Sequence, residues 1–320
     1  MRDLMCKESA STSEMDTTTY IVSVDLGATH VRAGIIDTDG TIIAFSRNEV
    51  GGLSDGVEIQ TLIYDMISDL IKKSRTSPKA IGISTAGPVD LKNGSVTCSP
   101  NMKCSRIFLT EPLRDQFGIP VSMMTDCKAG ALGEYYFGGG KNAGTLVYLT
   151  FSTGIGAGVI ENGKLLSGSN GNASEVGHFP VDTTWNIPCG CGGTGHWEAY
   201  ASGTGIPKFF RAWSAKYAEC MPNPAITAEQ ILNAAEIKSP LCLSFSEELA
   251  EINGRGLSAV IAAYNPDVII LDGPIARNYP SLIAGKMTAH IDHYLTVPDI
   301  RLSALDGNAP LLGAACAAFK

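Results

Sequence analysis

The residue types most able to do chemistry crowd into one stretch, Glu175-Val-Gly-His178 followed by Cys189-Gly-Cys191-Gly-Gly-Thr-Gly-His196-Trp-Glu198. Thiolate and imidazole are favoured zinc donors, and His178, Cys189, Cys191 and His196 together supply a tetrahedral Cys2His2 set. The glycines between the donors allow a tight knuckle. Four protein ligands leave no open position, so zinc is expected here in a structural role. Two free thiols and two hydrogen-bonded histidines are the alternative. Glu175 and Glu198 flank the donors, and paired carboxylates accept hydrogen bonds from neighbouring sugar hydroxyls.

Two glycine-rich turns offer a different chemistry. Asp25-Leu-Gly-Ala-Thr29 follows an apolar run, and so does Thr150-Phe-Ser-Thr-Gly-Ile-Gly-Ala-Gly158. Asp25 at a strand end can orient a Mg2+ shell, Gly27 lets backbone approach a phosphate, and Thr29 adds a hydroxyl. Ser152, Thr153, Gly154 and Gly156 offer N–H groups and hydroxyls in the second turn. Facing each other, such turns cradle a polyphosphate; two ordinary hairpins would leave the same trace. Neither is a P-loop or a Rossmann fingerprint. Asp126, in Met-Met-Thr-Asp-Cys-Lys, stands between a strand and a helix. It either caps that helix without further function or aims into a cleft as the base that takes a hydroxyl proton during phosphoryl transfer, a reaction that depends mainly on positioning and charge.

The elements that must position these groups follow from periodicity. Residues 21–24, 31–36 and 41–46 read as a three-strand meander with a turn at Asp37-Thr-Asp-Gly40. Apolar residues recur at helical spacing over 55–73. A strand at 80–87, a helix near 109–117 and a strand at 119–124 complete a first unit, and a helix from about 127 to 137 opens the second. The segment from Thr145 then repeats strand, glycine-rich turn, strand and an Asn-Gly turn. Helices are expected around 193–215, 228–234 and 245–263, a buried strand at 267–273 and an apolar helix at 311–319 that packs back on the first unit. Two related α/β domains around a cleft are therefore expected. The first comprises residues 20–125, completed by the helix at about 308–320, and the second 126–307.

The chain has 320 residues with 44% hydrophobic and 18% charged, an ordinary globular balance of a length suited to two domains. A net charge of −8 argues against a nucleic-acid partner. No run reaches the roughly 18 apolar residues of a membrane span. Residues 1–19 lack the apolar core of a secretory signal and read as a disordered polar tail, so a cytoplasmic location is expected. Nine cysteines, an odd number, fit thiols and metal ligands better than a disulfide framework.

From about residue 20 onward the chain resembles the ROK family of sugar kinases and related repressors. The 25–29 turn resembles the family's first phosphate motif and Ser152-Thr-Gly-Ile-Gly156 its second. Glu175-Val-Gly-His178 matches its ExGH motif, and 189–198 resembles CxCGxxGCxE. The resemblance implies an α/β fold of two actin-like (ribonuclease H-like) domains and ATP with Mg2+ as phosphoryl donor. It implies Asp126 as base, with Gly87 (in Ser84-Thr-Ala-Gly-Pro88), Asn101, Thr125, Glu175, His178 and Glu198 around the sugar. His178 would bind zinc with one ring nitrogen and touch the sugar with the other. Three positions depart from the pattern. His196 replaces the third zinc cysteine, Thr125 stands where Asn usually precedes the base, and Asp272-Gly273-Pro274 replaces a Gly-Gly-Gly-type adenine turn. The Ser-Thr-Ala-Gly loop resembles N-acetylmannosamine kinases, whereas Cys-Gly-Cys-Gly-Gly-Thr-Gly-His-Trp-Glu-Ala-Tyr at 189–200 is similar to archaeal glucokinases. Either sugar is expected at its 6-hydroxyl, in a homodimer or higher homo-oligomer without membrane attachment. The rival readings are a sugar-sensing regulator, which would need a helix-turn-helix where only about 19 polar residues precede the first strand, and a non-catalytic actin-like ATPase.

Overall fold

The computed structural model describes residues 18–50, 52–53, 55–97, 106–169, 171–217 and 223–319. Most of the segment read as a tail, and Asn101, lie outside the described residues. The chain opens with β1 (Tyr20–Leu26), β2 (His30–Asp37) and β3 (Ile42–Glu49), paired antiparallel. Asp37 closes the second turn, its Oδ1 accepting from the N–H groups of Asp39 and Thr41. Helix α1 (Gly56–Ser74) starts where the Asp55 carboxylate caps the Val57 N–H at 3.0 Å. Its buried Ile59, Ile63, Met66, Ile67 and Leu70 join the core of the first sheet.

Next comes β4 (Ala80–Thr85), parallel to β1. A small sheet of β5 (Val89–Asp90), β6 (Ser95–Thr97) and β7 (Arg106–Phe108) succeeds it, which the sequence pattern does not announce because its strands are too short to show a period. Then come α2 (Thr110–Phe117), β8 (Val121–Thr125) and α3 (Asp126–Tyr136).

The second half repeats the plan. It contains β9 (Thr145–Phe151), β10 (Ile155–Glu161), β11 (Lys164–Leu165), α4 (Glu198–Ala201), α5 (Gly205–Tyr217), α6 (Ala228–Glu236), α7 (Pro240–Tyr264), β12 (Val268–Asp272), α8 (Pro274–Asn278), β13 (Asp299–Leu302) and α9 (Ala309–Ala318). The sheets run β3-β2-β1-β4-β8 and β11-β10-β9-β12-β13. Each has two antiparallel pairings followed by two parallel ones. The two meanders read in the sequence are thus equivalent parts of two actin-like domains.

The helix expected over 193–215 is instead two helices. Residues 193–197 belong to the knuckle, and Ser202-Gly203-Thr204 separates α4 from α5. Gly192 and Gly195 adopt left-handed φ of 93° and 74°, which excludes a continuous helix there. The helix expected at 245–263 begins earlier, with Pro240 in its first turn.

Helices α3 and α9 join the halves. After the first sheet, α3 crosses to pack on β9 and β10; after the second, α9 crosses back onto β1 and β4. Leu311, Leu312 and Ala315 of α9 share a core with Ile21, Ile36 and Ala80, and the Ser23 hydroxyl donates to the Leu311 carbonyl at 2.5 Å. The two helices touch backbone to backbone. A Cβ at Gly313 would lie 1.6 Å from the Ala129 carbonyl oxygen, one at Gly133 2.2 Å from that of Ala309, and one at Gly82 2.0 Å from that of Ala314. Among the described residues no helix is long and apolar enough to cross a membrane.

Because backbone rather than a flexible side chain blocks the added carbon, Gly313→Ala must push the helices apart. We expect a loss of about 1–3 kcal/mol or more. Gly285→Ala, whose Cβ would meet nothing closer than Pro280 O at 3.7 Å, should leave stability nearly unchanged. Thermal melting of both variants checks the contrast.

Candidate active site

Asp126 at the start of α3 is acted on by Asp25 near the end of β1 and by Glu175 of the second half. Asp25 is the penultimate residue of β1 and is 9% exposed. Its register partner Arg32 holds one carboxylate oxygen, Oδ2, through Nη2 at 2.6 Å and Nε at 3.0 Å. Ser84 of β4 donates to the other oxygen at 2.7 Å. Both oxygens are therefore engaged, a restraint that the sequence reading of Asp25 did not include. In the first turn the Gly27 N–H is held by the His30 carbonyl at 2.9 Å, and Thr29 is exposed.

The second turn is tied down by its surroundings. Ser152 N–H donates to Gly154 O at 2.9 Å, Gly203 N–H to Ser152 O at 2.7 Å, and the Thr204 hydroxyl to Thr153 O at 3.0 Å. Thr153 is exposed. Glu198 joins this scaffold: its Oε2 accepts the Ile155 N–H at 3.1 Å, and a Cβ at Gly154 would strike that oxygen at 2.3 Å. One oxygen of Glu198 thus anchors the turn, while Oε1 lies 4.0 Å from Cys189 Sγ. Gly156 lies in β10, where a Cβ would meet Cys127 Sγ at 2.5 Å, so its lack of a side chain lets α3 close on the strand. Gly273, with φ of 90°, is buried against the Phe151 carbonyl, which ties the Asp272-Gly273-Pro274 turn to the end of β9.

Asp126 is the first residue of α3, with Thr125 in the cap position making no side-chain bond. Its carboxylate accepts the Cys127 N–H at 2.8 Å and so sits at the positive end of the helix. Nevertheless its pKa is pushed up to about 6, first by removal from water and then by the negative charge of Asp25, with a smaller push from Glu175. Three carboxylates from β1, α3 and the 171–175 segment therefore act on one site. Gly87 lies near Thr125, a Cβ there reaching the Thr125 methyl at 3.9 Å, so the 84–88 loop borders the start of α3. Lys128 escaped the sequence reading. It is 6% exposed, and its ammonium donates to the Gly171 carbonyl, fastening α3 to the segment that leads to Glu175. Burial lowers its pKa, opposed by the charge of Glu175.

The donor group expected from sequence is assembled. One ligand atom from each of His178, Cys189, Cys191 and His196 lies within 4.8 Å of all the others. Cys189 Sγ is 3.8 Å from His178 Nδ1, and Cys191 Sγ is 3.2 Å from His196 Nδ1. Tetrahedral zinc with bonds of about 2.0–2.3 Å separates its ligands by roughly 3.3–3.8 Å, so the donor set fits. The other ring nitrogen of His178, Nε2, lies 4.0 Å from Glu175 Oε2. One imidazole thus faces the donor cluster on one side and the Glu175 carboxylate on the other. The knuckle is pinned to the core by Trp197, fully buried, whose indole N–H donates to Asn253 Oδ1 at 2.8 Å and whose ring fills the space above Gly256. A surface hollow of about 560 Å³ lined by Arg255, His290, His293 and Tyr294 among others contains none of the residues gathered here.

Known proteins share both the sequence and the fold. The chain is 33% identical over 301 residues to the glucokinase of Pyrobaculum calidifontis, spanning 93% of this chain and 95% of that one. It is 30% identical to the xylose repressor of Bacillus spizizenii, covering 92% of this chain but 75% of the repressor. Among solved structures, a ROK family glucokinase from Streptomyces griseus in complex with glucose and AMPPNP superposes with a TM-score of 0.77 at 27% identity, covering 94% of this chain and 99% of that one. The ROK family model matches residues 21–320, and the chain is a member of the ROK family.

Proposed function

We propose that this chain is an ATP-dependent kinase that phosphorylates the 6-hydroxyl of a hexose or N-acetylhexosamine, glucose or N-acetylmannosamine. The observation that carries the reading is Asp126: a half-buried carboxylate with its pKa raised to about 6, on which the charges of Asp25, beside the first glycine-rich turn, and Glu175, beside His178, both act. The glucokinase relative and the glucose and AMPPNP complex support it.

In this reading the 25–29 and 152–156 turns receive the phosphates, with Gly273 beside the nucleotide. Glu175, Oε1 of Glu198, His178 Nε2, Thr125, Asn101 and the Gly87 loop hold the sugar. Asp126 accepts the proton of the 6-hydroxyl as that oxygen attacks the γ-phosphorus and the bond to the β–γ bridging oxygen breaks, leaving ADP. At pH 7 a group of pKa about 6 is ionised, yet it is a stronger base than an ordinary aspartate. Mg2+, a hard cation suited to oxygen ligands, would neutralise the phosphates. Asp25, with both oxygens already engaged, would hold it through coordinated water. Zinc on His178, Cys189, Cys191 and His196 would fix the tautomer and plane of His178. Closure of the two halves would exclude water as a competing acceptor.

The repressor relative favours a second reading, a regulator that binds sugar without turning over ATP. Sugar-stimulated ADP release across glucose, mannose, N-acetylglucosamine and N-acetylmannosamine separates the two. A chain that binds a sugar but releases no ADP would be a regulator.

Asp126→Asn should lower kcat by about 10²–10⁴-fold while sugar binding, followed by calorimetry, is largely kept; near-normal turnover would remove Asp126 from the role of base. The same variant tests the raised pKa through stability. Below about pH 3 the carboxyl is protonated in folded and unfolded chains alike. As pH rises toward 6 the unfolded chain ionises first, so the native protein loses stability until its own carboxyl is ionised. The loss reaches at most about 3 kcal/mol for a shift from 3.8 to about 6. The melting temperature of Asp126→Asn, relative to the parent, should therefore climb between pH 4 and pH 7. For zinc, elemental analysis should find about one ion per chain. Cys191→Ser should reduce that content and raise the sugar KM more than the ATP KM, because His178 loses its orientation.

A further inference from the structure

One interaction in the cleft lies outside the sequence motifs. Arg32 projects from β2 with its side chain 23% exposed. Its Nη2 and Nε grip Asp25 Oδ2, while Nη1 donates to the backbone carbonyl of Gly307 at 2.8 Å. Gly307 belongs to the second half of the chain, at the root of α9. One guanidinium therefore joins the carboxylate of the first phosphate turn to the backbone from which α9 crosses between the halves.

The second half contributes a matching arginine. Arg277 donates from Nε to Asp272 Oδ1 at 2.9 Å, and Asp272 is 2% exposed at the end of β12, paired in register with Thr150 at the second turn. The Arg277 guanidinium lies against Gly307: a Cβ there would come within 2.7 Å of Nη1 and 2.9 Å of Cζ. With φ of 74°, Gly307 admits the two cations where a side chain would exclude one of them. Each arginine thus holds the aspartate beside its own half's glycine-rich turn, and both meet at one glycine between the halves.

We propose that Arg32 is a positioning residue for phosphoryl transfer, neutralising and orienting Asp25 beside the base while tying the first phosphate turn to the root of α9. The proposal rests on the kinase reading given above. Its two parts have separate consequences. Asp25 is nearly buried, so without Arg32 its charge stands uncompensated. That charge acts on Asp126, which also faces Glu175 from the 171–175 segment and Cys127 on its own helix; Lys128 faces Glu175 rather than Asp126. Losing the guanidinium should therefore make Asp126 harder to ionise. Losing the reach to Gly307 should loosen the turn that receives the nucleotide. Lysine can replace the charge but not the fork that spans both acceptors.

The test compares Arg32→Gln and Arg32→Lys with the parent enzyme, using the full chain, MgATP and whichever sugar gives the highest turnover. In Arg32→Gln the acid limb of kcat/KM against pH should move up by about half to one pH unit, since kcat/KM reports the free enzyme. Its MgATP KM should rise about tenfold. Arg32→Lys should return the acid limb toward that of the parent but keep the raised MgATP KM. An Arg32→Gln enzyme with the parent's acid limb and MgATP KM would overturn the proposal while leaving the kinase reading intact. Loss of folding in both variants would also overturn it, making Arg32 a strut. A parent chain that phosphorylates no sugar would remove both the kinase reading and this inference.

Discussion

The structure depends on the close crossing of α3 and α9. The two helices leave the ends of equivalent sheets and exchange sides, and they pass so closely that Gly313 and Gly133 have carbonyl oxygens where side chains would be, as does Gly82 of β4 beneath α9. This contact fixes the angle at which α3 leaves β8, and with it the position of Asp126. It also fixes the root of α9 at Gly307, where arginines from both halves meet. Tight, volume-sensitive packing is what lets sites on separate domains keep sub-ångström relations.

Much of the site's chemistry arises from conflicts that this frame imposes. Asp126 stands at a helix N-terminus, which favours its anion, yet burial and the charges of Asp25 and Glu175 prevail and raise its pKa. Arg32 and Ser84 restrain Asp25, the larger source of that repulsion. His178 has one ring nitrogen toward the Cys189 thiol and the other toward Glu175. A metal on the first nitrogen would dictate the orientation of the second, so under the proposed function the knuckle and the sugar site form one mechanical unit, held to α7 by Trp197.

The parts of this arrangement that rest on local pattern were legible in the sequence. Both meanders, the buried strands and the donor spacing of His178, Cys189, Cys191 and His196 could be read because their signals are periodicity, turn chemistry and ligand type. What escaped depends on residues distant in the chain. Nothing near Gly156 announces that its missing side chain makes room for Cys127, and nothing near Glu198 announces its bond to Ile155. Arg32 is a charge inside an apolar strand that the sequence reading passed over, and its partners Asp25 and Gly307 become evident only once β1 and β2 pair and α9 returns. The helix break at Ser202–Thr204 was hidden because Gly203 is held by Ser152, far away in sequence.

The central claim is that a desolvated Asp126 takes the proton of the acceptor hydroxyl. It is tested most directly by the pH dependence of kcat/KM for the sugar, with MgATP saturating. The account predicts a fall with decreasing pH that tracks a single ionisation near pH 6. A rate constant that stays level from pH 7 down to pH 4.5 in a folded enzyme would contradict it.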